Sequence, residues 1–455
     1  ADAQGGQGGD GGNGGNGGFG GHSGRYYYYN RGWWSSWSST RNYTQTEHGD
    51  GGQATDGAAG GFAFSSVDLN DMDGSFADDV ITVSAEARGG RGGDGGNGGS
   101  SYGAYNTANA GVTQDGANGG AGGDAHASVT NNILNGADGN DVIELSVLAE
   151  GGFGGLGGNS NSLSSQHESG ANFRDYGERY NYYGDSGDGG NGGDGGSALA
   201  TVSGNSILGG SGNDSILLSA TAIGGDGSNG GTTFAGTTTD FVSGALHYGD
   251  RAGVAGADGS AGAAGLGTVV VTNNLLSGGE GNDDITIELQ GDSITFDANT
   301  LDGGDGADSL TITTSGSYGI AVDFSAGTLV LGGSGSNTLS SIENVSGTAS
   351  ADSFTGGSGD ETVTGNGGAD HFEFALDGMD EITDFEAGSD TLELTGLGVT
   401  FADLDTDGDG ILEDGEGNGD ITIALTADGL VISNADGSLL LNGETGLAEA
   451  DLLLT

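Results

Sequence analysis

GGSGNDSIL, Gly209 to Leu217, is the stretch whose reading decides the fold. Its glycines permit a tight turn, and Asp214 sets a carboxylate beside the turn carbonyls. The apolar residues that follow read as a strand whose large side chains enter a narrow core. The pattern is G-G-x-G-x-D-x-U-x, with U a large apolar residue. It returns as GGEGNDDIT at Gly278 and GGDGADSLT at Gly303, which places Asp283 and Asp308. GADGNDVIE at Gly136 differs at its second position, and GGSGSNTLS at Gly332 carries Asn337 where the aspartate belongs. Asn337 therefore predicts a weaker ligand field. The segments FADDVITVSAEA (Phe76 to Ala87), GNDVIELSVLAE (Gly139 to Glu150), GNDSILLSATAI (Gly212 to Ile223) and GNDDITIELQ (Gly281 to Gln290) align on Asp79, Asp141, Asp214 and Asp283. Their spacing of roughly 60 to 75 residues predicts a stacked repeat. A strand precedes each later turn, in ASVTNNIL, ATVSGNSIL and VVVTNNLL, and FAFSSVDL holds that place in the first copy.

Between these strand pairs run glycine tracts. GGQGGDGGNGGNGGFGG spans Gly5 to Gly21, and a looser tract spans Gly51 to Gly61. Later pairs are GGRGGDGGNGG with GANGGAGG, GGFGGLGG with GDGGNGGDGG, and GGDGSNGG with GADGSAGAAG. One repeat thus reads glycine rod, insert, glycine rod, strand, acidic turn, strand. A GGX tract fits a left-handed helix of three residues per turn, with two faces carrying only hydrogen and X lining the third. A flexible linker is the alternative. It does not account for tracts that come in pairs around an insert, or for Asn and Asp at X. The tracts between Gly5 and Gly267 resemble the polyglycine-II bundles of some antifreeze proteins and phage tip adhesins. That resemblance implies packed rods holding variable loops at their ends.

Composition narrows the physics. Glycine supplies 105 of 455 residues, while proline and cysteine are absent. Collagen and disulfide scaffolds are excluded. Bound metal and repetitive hydrogen bonding remain to offset the entropy of ordering so much glycine. Asp plus Glu number 65 against 8 basic residues, for a net charge of −57. Every basic residue is arginine, and none lies beyond Arg251. A phosphate backbone needs a positive surface, so nucleic acid is a poor partner. A disordered acidic chain is the bland alternative, but the carboxylates recur at turn positions. That regularity favours calcium, a hard ion with oxygen ligands. No apolar stretch reaches transmembrane length, and no signal peptide is visible. The start at Ala1 leaves room for a processed segment. The expected compartment is extracellular or cell-surface.

The inserts have the opposite chemistry. The first, RYYYYNRGWWSSWSSTRNY, holds Tyr26, Tyr27, Tyr28, Tyr29, Trp33, Trp34 and Trp37. The third contains FRDYGERYNYY, with Arg174, Tyr176, Arg179, Tyr180, Tyr182 and Tyr183. Arg25, Arg31, Arg41 and Arg251 also lie in inserts. Tyr, Trp and Arg are typical interface anchors. Three readings compete: a small core capping the rod ends, a site for a surface glycan or receptor, and docking onto the acidic body of another copy. A head-to-tail contact that does not close would propagate into a fibre.

Nine-residue units then run without a gap: GTASADSFT from Gly347, GGSGDETVT from Gly356 and GNGGADHFE from Gly365. They resemble the repeats-in-toxin (RTX) family secreted by Gram-negative bacteria. That family implies a parallel β-roll with calcium held between turns, and a type I export route. The resemblance places Asp352 and Asp370 as ligands two units apart, with Glu361 replacing the usual aspartate. It turns Phe354, Val363 and Phe372 inward. HFEFALDGMDEITDFEAGSDTLELTGL looks like the segment that closes such a roll. Asp380, Asp384 and Asp390 are its candidate ligands, and Ile382, Phe385, Leu392 and Leu394 its core. DTDGDGILED sets Asp405, Asp407 and Asp409 two apart, with Asp414 later. It partly resembles an EF-hand-type or dockerin-type loop, although its flanks do not read as helices. ITIALTADGLVISNADGSLLLNG predicts antiparallel strands, and the last residues are compatible with an export signal.

No H-E-x-x-H site or clustered histidine is present, and cysteine chemistry is impossible, so an enzyme is not expected. The expected fold is an all-β solenoid: a calcium-binding parallel β-roll combined with a polyglycine-II helix bundle and projecting loops. The expected divisions are repeats over 1–300, the roll over 301–397 and an acidic loop with short strands over 398–455. The expected function is a secreted, calcium-dependent structural protein that self-assembles as a homopolymer. The alternative is a calcium-stabilised adhesin that binds glycan or receptor through its aromatic loops. Ice binding is weakened by the charged, irregular X residues.

Overall fold

A computed structural model describes residues 1–4, 56–96, 115–159, 188–233 and 256–455. The aromatic and arginine residues expected at partner contacts, Tyr26 to Trp37 and Arg174 to Tyr183, lie outside the described residues. The fold is nearly all β, and its parallel sheets stack in register.

One turn of the stack carries three strands, one more than the sequence reading assigned. ASVTNNIL breaks at a corner into Ala125–Thr130 and the start of Ile133–Asp138, and Val142–Glu150 follows the acidic turn. Asn131 sits at the corner with φ 54, and Asn273 repeats it with φ 58. Asn tolerates this left-handed conformation better than most side chains, so the apolar run bends there. The strands fall into a five-stranded sheet ahead of the corner and two twelve-stranded sheets after it.

Pairing is parallel and in register. Val142 aligns with Val80 and Ser215, and Ser215 with Asp284. Ile81, Ile143, Ile216, Ile285 and Leu310 therefore form one buried ladder. The core is a wedge. Along Val142–Glu150 the inward residues are Ile143, Leu145, Val147 and Ala149, and the opposing strand begins with Ala125 and Ala127. Side chains shrink until the two sheets meet as glycine segments with no side chain between them.

These segments bond to one another through the backbone. Residues 151–159 and 224–233 leave the stack, and 115–124, 188–197 and 256–266 return to it. Gly192 N–H donates to Ser260 O in the next returning segment at 2.8 Å, and Gly193 N–H donates to Gly155 O in an outgoing one at 2.8 Å. The X residue uses its side chain: Asn191 N–H donates to Asn118 Oδ1 at 2.8 Å, and Ser260 N–H donates to Asn191 Oδ1 at 3.0 Å. Each amide of the triplet thus finds an acceptor. This is the physical reason for Asn and Asp at X, which the sequence posed without answering.

The aspartate turns recur after 62, 73 and 69 residues, then after 25 once the glycine segments and inserts drop out. The five-stranded sheet ends at Ser293–Asp297. Beyond it the two long sheets continue on short strands. Phe354, Val363 and Phe372 are fully buried, as the sequence resemblance implied, and Phe354 stacks on Phe372 at 5.4 Å between ring centres. Ile382, Phe385, Leu392 and Leu394 are buried with them.

One long sheet finishes in antiparallel strands at its C-terminal end. Thr422–Leu425, Gly429–Ser433 and Ser438–Asn442 are antiparallel, as read from the sequence, and the last of them pairs in parallel with Met379–Ile382. The outer edge is covered: Ile423 N–H donates to Glu416 O at 3.1 Å, and Gly415 N–H donates to Ile423 O at 3.0 Å. Among the described residues, no helix is long and apolar enough to cross a membrane.

Candidate metal centres

The turns bring Asp79, Asp141, Asp214, Asp283 and Asp308 into one buried column along the edge of a long sheet. Each backbone N–H donates to the Oδ1 of the aspartate one turn on. The distances are 2.6 Å from Asp79 to Asp141, 2.7 Å from Asp141 to Asp214, 2.7 Å from Asp214 to Asp283 and 2.8 Å from Asp283 to Asp308. Asp308 N–H donates to Glu343 Oε2 at 2.8 Å, and Glu361 N–H donates to Asp380 Oδ1 at 3.1 Å further along the same sheet. Glu361 holds the aspartate position after all: it is buried, and its carboxylate accepts Gly357 N–H and Gly359 N–H.

One oxygen of each aspartate is spoken for, and the other is not. The Oδ2 atoms of Asp141, Asp214, Asp283, Asp308 and Asp380 are buried without a hydrogen-bond partner, as is Oδ1 of Asp79. A buried, unpaired carboxylate oxygen is strongly unfavourable. A row of such oxygens could bind cations, which prefer oxygen ligands when they are hard ions.

A second column stands on the other long sheet. Ile320 N–H donates to Asp352 Oδ1 at 2.6 Å, Asp352 N–H to Asp370 Oδ1 at 2.8 Å, and Asp370 N–H to Asp390 Oδ1 at 3.0 Å. Asp384 stands apart from both. Its two oxygens accept Gly365 N–H at 2.8 Å and Asn366 N–H at 2.7 Å, so it anchors that turn.

Burial pushes the carboxyls of Asp141, Asp214, Asp283, Asp308, Asp352, Asp370 and Asp380 up. Asp141 and Asp380 rise to about 7, and Asp283 and Asp370 to about 6, with desolvation the largest cause and neighbouring carboxylates adding to it. A folded-state value above the unfolded one contributes stability that is present in acid and lost as pH rises through it. The calcium-free protein should therefore melt at a higher temperature at pH 5 than at pH 8. Calcium requires the deprotonated form, so it should stabilise strongly at pH 8 and little at pH 5. Thermal midpoints at both pH values, with calcium and with chelator, check this. An unchanged pH order in the two conditions would count against the column as the metal site.

Sequence reasoning missed an asparagine ladder. Asn132, Asn205, Asn274, Asn299 and Asn337 are buried at the corner between sheets. Each Asn Nδ2 in the first four donates to the Oδ1 of the next, at 2.8 to 2.9 Å. Asn337 is thus the end of this ladder and no substitute for a metal-binding aspartate. The signal was present in TNN, SGN and TNN, one asparagine at the same place in each repeat.

In the C-terminal loop, carboxylate oxygens of Asp405, Asp407 and Glu416 lie within 4.8 Å of one another, as do those of Asp407, Asp409 and Glu413. Glu416 occupies the twelfth position counted from Asp405, and Gly410 the sixth, with φ 87. That is the ligand spacing of a twelve-residue calcium loop. Asp414, named from the sequence, instead accepts Leu425 N–H at 3.0 Å. The twelve-residue count from Asp405 could have found Glu416. Its flanks hid it: the loop follows a single helical turn, Phe401–Leu404, and Ile411–Leu412 within it pairs with Leu447–Ala448.

No family model matches the chain, and no curated protein matches it.

Proposed function

We propose that the chain is a secreted, calcium-dependent structural protein that self-assembles outside a Gram-negative cell. The buried carboxylate oxygens without partners carry this reading. Asp141, Asp214, Asp283, Asp308, Asp352, Asp370 and Asp380 would hold calcium together with turn carbonyls, and the loop from Asp405 to Glu416 would hold it separately. Bound calcium supplies the positive charge that lets neighbouring rows of carboxylates approach. A chain of charge −57 stays unfolded where calcium is scarce, which suits one-step export, and folds where calcium is plentiful.

The glycine segments are polyglycine-II rods in two layers, a reading supported by their bonding at every third residue. They act as struts that carry the aromatic inserts away from the stack. The inserts then grip the acidic surface of another copy. Replacing Trp33, Trp34 and Trp37 with serine should abolish calcium-dependent filaments or sheets in electron micrographs and leave a folded monomer. Normal assembly combined with lost cell or glycan binding would sink the structural reading and favour the adhesin.

A further inference from the structure

The two long sheets do not keep step throughout. In one, Asn344–Ser346 and Thr362–Thr364 are direct neighbours. In the other, the strands of the same two turns, Ser336–Ser340 and Ser353–Thr355, are parted by the hairpin of Ile320–Asp323 and Thr328–Leu331. Two extra strands at about 4.8 Å each splay the turns on that side by roughly 10 Å. The carboxylate ladder stops at the same place. Asp308 N–H reaches Glu343 Oε2, but Glu343 N–H turns back to Asp308 O at 3.3 Å, and the ladder resumes only from Glu361 N–H to Asp380.

The splay opens a cleft of about 540 Å³, a size typical of small-ligand sites. A hollow of about 180 Å³ adjoins it and shares Phe324, Gly359 and Glu361 with it. All of the cleft's lining lies within residues 324–395, far along the chain from the inserts. Phe324 is half-buried on the hairpin turn, held there by its N–H bond to Thr355 O at 2.9 Å, and it lines both hollows. Hydroxyls come from Ser325, Thr355, Ser358 and Thr395. Those of Thr355 and Thr395 make only long bonds, to Glu373 Oε2 at 3.4 Å and to Phe374 O at 3.5 Å, which a better-placed partner can replace. Glu373 and Asp377 add carboxylate acceptors, whereas Glu361 is already engaged by Gly357 N–H and Gly359 N–H. Glycine at 357 keeps the space clear: a Cβ there would lie 2.9 Å from Glu361 Oε1 and 3.3 Å from Phe324 Cβ.

An aromatic face beside hydroxyls and carboxylate acceptors suits a ligand with the same division, a C–H face and an edge of hydroxyls. No basic residue lies beyond Arg251, and Glu343, Asp360, Glu373 and Asp377 line the two hollows, so an anionic ligand is repelled. We propose that this cleft binds a neutral pyranose sugar, stacked on Phe324 and hydrogen-bonded by Glu373, Asp377 and the neighbouring hydroxyls. The activity goes beyond self-assembly and requires neither the inserts nor a second copy.

The test is calorimetric titration of the full chain, in calcium, with the methyl glycosides of glucose, galactose, mannose and N-acetylglucosamine. Polygalacturonate serves as an anionic probe and spermidine as a cationic one. At least one glycoside should bind at millimolar concentration, and polygalacturonate should not. Phe324→Ala should weaken that binding at least about tenfold, and Phe324→Tyr, which keeps the ring, should retain it. The rim variants Glu373→Gln and Asp377→Asn do not touch the buried core, and each should weaken binding about tenfold at an unchanged thermal midpoint. Replacing Trp33, Trp34 and Trp37 with serine should leave the affinity as it was, which separates this site from the self-assembly reading. No response to any glycoside would overturn the proposal, as would glycoside binding that Phe324→Ala and both rim variants leave intact. Spermidine binding lost in Phe324→Ala, with the glycosides silent, would overturn it in favour of a cation site.

Discussion

Chelation of calcium is expected to melt the stack, and Asp214→Ala to reproduce much of that loss with calcium present. Asp214 stands mid-column, its Oδ1 bonded to Asp141 N–H and its Oδ2 buried and unpartnered. A ligand a thousandfold above its dissociation constant adds about 4 kcal/mol per site. Several sites in one column should together move the thermal midpoint by well over about 10 °C. Removing the Asp214 carboxylate withdraws ligands from its neighbours above and below and leaves Asp141 N–H without its acceptor, so the cost exceeds one site. Circular dichroism melts and calcium titrations of both proteins measure this. Identical midpoints in calcium and in chelator would end the calcium reading of the column.

Gly193→Ala is expected to cost about 3 kcal/mol or more, at or beyond the upper end of the usual cost of overpacking. A Cβ on Gly193 would overlap the carbonyl of Gly120 and press on the backbone nitrogen of Gly155. Both obstacles are main chain, held by hydrogen bonds on both sides, so neither can rotate away. Ala263→Ser, at an exposed X position one segment on, should change stability by no more than about 0.5 kcal/mol. Hydrogen exchange of the amides in 151–159, 188–197 and 224–233 reads the effect locally. Retained protection in Gly193→Ala would mean that these segments do not pack through their glycines.

Several elements were legible from the chain alone. The aspartate turns, the inward Phe354 and Phe372, and the terminal antiparallel strands follow from local pattern, because turn chemistry and alternation are written within a few residues. The corner at Asn131 was not legible in that way. An Asn within an apolar run reads as an interruption of one strand, and only its partners in adjacent turns show that it ends a sheet. Glu416 was hidden by the absence of a second helix, since the loop is set by a strand pair in place of helical flanks.

The sequence by itself determined the repeat, the acidic turns and the placement of glycine, because each depends on φ preferences and short-range alternation. Only the tertiary structure decided which atoms meet. Stacking at offsets of 62, 73, 69 and 25 residues carries Asp79 to Asp308 into one column, and offsets of 73, 69, 25 and 38 carry Asn132 to Asn337 into another. It also gave the Asn and Asp of the glycine tracts their task, accepting the one amide per triplet that the glycine backbones leave over. The physical reason is that a ladder exists only between turns: its bonds join residues far apart in the chain, and no local window contains both ends.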